Sequence, residues 1–136
     1  MAVSLELRVR VVERANDRCE YCQLEQARQE ATFHVDHIVP VSAGGPNQIE
    51  NLALACVSCS LRKGARELVA DPETGQRVRL FHPRNDNWED HFRWDGPLLA
   101  GRTATGRATA VALQLNRELI VAIREEEALQ GRHPPG

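Results

Sequence analysis

The stretch HVDHIVP (34–40) places three titratable side chains, His34, Asp36 and His37, among apolar neighbours. An imidazole with an ordinary pKa near ~6.5 suits removal of a proton from water at neutral pH. A carboxylate is the hard oxygen donor that Mg²⁺ or a similar cation prefers. Such groups are costly to bury without partners, so a segment that otherwise asks for a core must present them to something. All four cysteines fall into two Cys-x-x-Cys pairs, Cys19/Cys22 and Cys56/Cys59. The two-residue gap lets both sulfurs of a knuckle face one point, and two knuckles supply the thiolate set of a structural Zn²⁺. Redox pairs or unrelated buried thiols are the other readings, but a thioredoxin-like pair needs a βαβ setting that is missing here. A closed four-sulfur site holds structure and does no chemistry.

These residues need elements to position them. Residues 4–16 (SLELRVRVVERAN) alternate like a strand, yet Leu5, Val9, Val12 and Ala15 also form a helical stripe. Ser4 as a cap, with good helix formers behind it, favours a helix. TFHVDHIV (32–39) is β-branched and aromatic and reads as a strand closed by Pro40. PVSAGGPNQ (40–48) is a loop, IENLALAC (49–56) a second strand, and VSCSLRKGARE (57–67) opens a helix. Further on, DPETG (71–75) is a turn and QRVRLFHP (76–83) alternates like a strand. Residues 96–106 read as a polar connection. Two helices are expected after it, roughly 106–115 capped by Thr105 and roughly 117–130 capped by Asn116. Leu119, Ile120 and Ile123 make the apolar stripe of the second, and HPPG is a frayed tail.

In this order, CEYC…VDHIVPVSAGG…ENLALACVSCSLRKG resembles the zinc-stapled, four-cysteine HNH endonucleases of bacteria over residues 19–66. LFHPRNDNWEDHFRWDG and GRATAVALQLNRELI are similar to the downstream portion of a bacterial subfamily, which carries no assigned chemistry. The resemblance implies an α+β fold: a ββα-metal hairpin–helix core stapled by the four-cysteine zinc site, with extra strands and C-terminal helices. It implies His37 as general base, Asp36 as the acidic ligand of a catalytic Mg²⁺ or Mn²⁺, and Asn51 as the central residue that orients the histidine and steadies the loop. The third named position falls at Ser60, where the family commonly has His or Asn as a second metal ligand. A serine hydroxyl is a shorter, weaker oxygen ligand, so a water bridges Ser60 to the ion or His34 takes its place. On a regular strand His34 and Asp36 share a face and His37 points to the other. The bland alternative for His34 is a hydrogen-bonded structural group.

Arg62, Lys63 and Arg66 are a solvated charged face by default. Beside this motif the expectation is contact with nucleic-acid phosphates, with Lys63 at the family's usual lysine. His82 and His91 accompany Trp88 and Trp94, as a packed aromatic cluster or as a base-stacking surface, and His133 receives no role. The implied function is metal-dependent hydrolysis of DNA phosphodiester bonds. A non-catalytic zinc-ribbon-like module that grips DNA, RNA or protein is the rival.

The 136 residues are 42% hydrophobic and 26% charged, the composition of one globular domain. The expected organisation is a core of about 17–67 and an extension of about 68–136 packed on it. No apolar run reaches the roughly 20 residues of a membrane span, and Glu6 and Arg8 interrupt any signal peptide. An intracellular, cytoplasmic setting with reduced thiols is expected. The net charge of −2 decides nothing about partners. Its distribution says more: SLRKGAR (60–66) holds three cations and no acid, while EEE (125–127) is an acidic block.

Overall fold

Ser4 accepts a hydrogen bond from the Leu7 amide and so starts α1 (Leu5–Arg14). In this computed structural model, which describes residues 3–136, the chain divides into two compact units. The first comprises the residues up to Glu67 together with His82–Asn85, and the second Leu68–Phe81 with Asp86–Gly136.

In the first unit α1 turns Val11 fully inward, while Leu5 and Val9 lie exposed. The expected stripe is therefore rotated. Arginine anchors set the face: Arg8 Nη2 donates to Phe33 O at 2.8 Å, and Arg14 Nη1 donates to Ile49 O at 2.7 Å. Strands β1 (His34–His37) and β2 (Leu52–Ala55) form an antiparallel hairpin in which Asp36 faces Ala53 and His37 faces Leu52. Every residue of β2 is buried. Burying Leu52 and Leu54 stabilises this ribbon by about 2 kcal/mol each. Helix α2 (Val57–Lys63) follows, shorter than the sequence suggests because the chain leaves it at Gly64, where φ is +53°. The first cysteine knuckle docks on β2. Glu20 N donates to Leu54 O at 2.8 Å, and Leu54 N donates to Glu20 Oε2 at 2.8 Å. Glu20 Oε1 also takes the Arg84 guanidinium, which ties the returning segment 82–85 into this unit.

The second unit contains the hairpin β3 (Leu68–Ala70) and β4 (Arg77–Arg79). After it come α3 (Trp88–His91), the hairpin β5 (Phe92–Asp95) and β6 (Leu98–Gly101), α4 (Ala104–Ala112) and α5 (Glu118–Leu129). Residues 96–106 are thus no mere connection. Asn116 explains why: its Oδ1 accepts from Leu99 N at 2.8 Å and its Nδ2 donates to Leu99 O at 2.9 Å, completing the edge of β6. Asn116 is consequently not the cap of α5, which begins after Arg117. Thr103, two residues before the expected Thr105, caps α4 by accepting from Gly106 N at 3.0 Å. Leu119 is 71% exposed, whereas Ile120 and Arg124 are buried. Arg124 donates to Leu115 O and Pro97 O and lies 5.0 Å over the Trp94 ring. The tail is held: His133 Nε2 meets Gly96 O at 2.8 Å, and its ring packs edge-on to Trp94. Trp88 packs on Phe92 and Trp94, and His91 on Phe81, while His82 instead accepts backbone N–H bonds from Arg84 and Asn85.

Asp71 is fully buried and receives two hydrogen bonds from Arg107, at 3.1 and 3.0 Å. Hydrogen bonding from Arg107 holds its carboxyl down at about 2, against an ordinary 3.8. A depressed carboxyl contributes stability that is present above its unfolded pKa and lost as pH falls through the folded one. The stability lead of the wild type over Asp71→Asn should therefore be full at neutral pH and shrink as pH falls from about 4 to about 2. Urea melts followed by tryptophan fluorescence at several pH values measure this. A lead that does not change with pH refutes it.

Candidate active site

The four cysteine sulfurs come together. Cys19, Cys22, Cys56 and Cys59 are buried, and their sulfurs all lie within 4.8 Å of one another. The Cys22 and Cys56 sulfurs are 3.7 Å apart. That is far beyond a disulfide bond of about 2.05 Å. It fits the edge of a tetrahedron with metal–sulfur bonds of about 2.3 Å, an edge of about 3.8 Å. Local backbone folding aims them: Cys22 N donates to Cys19 Sγ at 3.5 Å and Cys59 N to Cys56 Sγ at 3.4 Å. Cys56 is also the N-cap of α2. Hydrogen bonds from the other three thiols pull the Cys56 thiol well below its ordinary range. Four buried thiols gathered around one point are a donor set that fits a soft divalent ion such as zinc. Among the described residues this is the only cluster of three or more His, Cys, Asp or Glu groups placed to hold a metal.

The hairpin separates its polar side chains as a two-residue period dictates. His34 is exposed, and its Nδ1 lies 2.9 Å from Ser60 Oγ on α2. Asp36 faces the same helix, with Oδ2 in an ion pair with Lys63 Nζ at 3.1 Å. Burial pushes the Asp36 carboxyl up, against the pull of Lys63 and of both neighbouring histidines. Beneath it, the buried Tyr21 hydroxyl is raised well above its usual range by burial and by Asp36.

Lys63 is 2% exposed, and its ammonium also donates to His37 O at 3.0 Å. A buried cation requires such partners, and both come from β1. In this structure Lys63 therefore clamps α2 to the hairpin from within. The outward cations of the expected phosphate-binding trio are Arg62 and Arg66. Both are exposed and linked to each other through the Arg62 carbonyl.

Asn51 is buried and holds the loop between the strands. Its Oδ1 accepts from Val39 N at 2.9 Å, and its Nδ2 donates to Val39 O at 3.1 Å and to Pro46 O at 3.0 Å. Direct contact with the histidine falls to Asn47, whose Oδ1 is 2.5 Å from His37 Nε2. Sequence reasoning did not single out Asn47. The available signal was an amide side chain two residues beyond the Gly44–Gly45 turn, facing the end of β1. Gly44 has φ +86°, a left-handed conformation that favours glycine. Gly45 lies so close to the strand that a Cβ would sit 1.8 Å from Val39 O. Gly45→Ala should therefore push the loop off the hairpin and cost about 1–3 kcal/mol. A chemical-denaturation midpoint equal to that of wild type contradicts this.

Residues 19–66 match the family model described as HNH endonuclease. The matched stretch holds the four cysteines, the β1–β2 hairpin and α2, and its mix of helix and short antiparallel strands is α+β, consistent with an HNH fold. No curated protein and no solved structure gives a match to the chain. Among the described residues no helix is long and apolar enough to cross a membrane.

Proposed function

We propose, with the HNH match of residues 19–66 as premise, that the chain is a divalent-metal-dependent endonuclease hydrolysing DNA phosphodiester bonds. The observation that carries the reading is the pair Asp36–His37 at the end of a hairpin fastened between the cysteine cluster and α2, with His34 hydrogen-bonded to Ser60 on the Asp36 side of that hairpin.

In this reading His37 removes a proton from water, the resulting hydroxide attacks phosphorus in line as the bond to the 3′-oxygen breaks, and the leaving oxygen takes a proton from solvent water. The products carry 5′-phosphate and 3′-hydroxyl ends. Asp36 is the principal ligand of a catalytic Mg²⁺ or Mn²⁺. His34 and Ser60, hydrogen-bonded to each other on the same side of β1, are the candidates for the second ligand. Such an ion, when bound, neutralises charge developing on the phosphoryl and leaving oxygens. Arg62 and Arg66 meet backbone phosphates, which position the nucleic acid without reading its sequence. The four cysteines hold a structural Zn²⁺ that sets the hairpin against α2. The pairing of all the cysteines in two knuckles supports a reducing, cytoplasmic setting.

The test is supercoiled plasmid incubated with the purified protein and Mg²⁺, Mn²⁺ or EDTA, alongside a binding measurement on the same DNA. Nicking that requires the divalent ion supports the nuclease. Salt-dependent binding with no nicking under any condition overturns it in favour of a zinc-ribbon-like nucleic-acid-binding module. RNA in place of the plasmid reads the substrate class.

A further inference from the structure

We propose that Asn47 is the positioning residue for His37: it holds the imidazole in the tautomer with the proton on Nε2, so that Nδ1 is the atom that takes the proton from water. This rests on the reading of His37 as the base. The amide oxygen of Asn47 is only an acceptor, and it stands 2.5 Å from Nε2. The ring must therefore donate there, and the lone pair is left on Nδ1.

The acceptor is held by the fold rather than by its own freedom. Its neighbour Pro46 is tied through its carbonyl to Asn51, and the same Asn51 side chain takes both backbone polar groups of Val39. Gly45 seats the loop against Val39 at a distance no side chain permits. From the other direction Lys63 grips the carbonyl of His37 itself. Backbone and ring of His37 are thus fixed by two separate elements, α2 and the glycine loop. Asn51 and Asn47 divide the work: one fixes the loop, the other fixes the ring.

The test uses the full-length, metal-loaded protein labelled with ¹⁵N, at about pH 8. Long-range ¹H–¹⁵N spectra report which ring nitrogen carries the proton, and His37 is assigned by its loss in His37→Ala. Wild type should show the Nε2–H form. Asn47→Ala should show a mixture with Nδ1–H, and Asn47→Asp, which keeps an acceptor oxygen at that place, should retain Nε2–H. In cleavage, Asn47→Ala should lose about 10- to 100-fold in kcat with DNA affinity unchanged. An Nδ1–H ring in the wild type, or an unchanged tautomer in Asn47→Ala, overturns the assignment. The tautomer is read without turnover, so a protein that shows the expected shift yet cuts nothing sinks the nuclease reading alone.

Discussion

Cys56→Ser, or prolonged treatment with a strong chelator, is expected to unfold the first unit rather than to weaken a working site. The four buried sulfurs lie within 4.8 Å of one another. They connect the knuckle at Cys19–Cys22 to the first turn of α2 across the whole hairpin. Structural zinc in small modules contributes about 10–16 kcal/mol to folding at neutral pH, comparable to or larger than a domain's total stability of about 5–15 kcal/mol. The rest of the unit offers short pieces: a ten-residue α1, two strands of four residues and a seven-residue α2. Cys56 has a double part, because its sulfur also caps α2 by accepting from Cys59 N. Elemental analysis should find one zinc per chain, and chelation should release it together with four reactive thiols. Circular dichroism and hydrogen exchange should then report loss of protection in β1, β2 and α2. A chelated, metal-free protein that melts as before would remove the staple from the account.

His37→Ala is the second large effect: plasmid nicking should fall by about 10²–10⁴-fold, the usual contribution of a positioned general base. DNA binding should be unaltered, since the outward cations Arg62 and Arg66 are untouched. The fold should also survive. His37 anchors α2 through its backbone carbonyl, which alanine retains, and its ring is only partly buried. Asp36→Ala should give a different signature. It removes the proposed metal ligand and leaves Lys63 buried beside an empty place, so both metal affinity and thermal stability should drop. His34→Ala separates the two candidates for the second ligand. Unchanged metal dependence assigns that place to Ser60 or to a bridging water. Residual cutting that is equal in wild type and His37→Ala would point to a contaminating nuclease and remove the histidine from the mechanism.

The order knuckle, strand, glycine loop, strand, knuckle, helix was legible in the residues themselves. It is written in local chemistry: a two-residue cysteine gap, a Ser cap, a proline that ends a strand, paired glycines in a turn. The α1 helix, the β1–β2 hairpin, α2 and the gathering of the four sulfurs appear where those signals put them. The same signals carried the resemblance to the HNH family, which the family match bears out over residues 19–66. What the tertiary structure decided are partners across long separations. Lys63 turns inward to a strand 26 residues earlier, Asn116 completes a strand edge 17 residues back, and Asn47 reaches the imidazole that Asn51 was expected to orient. A basic residue on a helix, or an asparagine before one, has the same local propensity whether it faces solvent or a buried carbonyl. Only the packed neighbours, and the cost of leaving a buried polar group unpaired, distinguish the two.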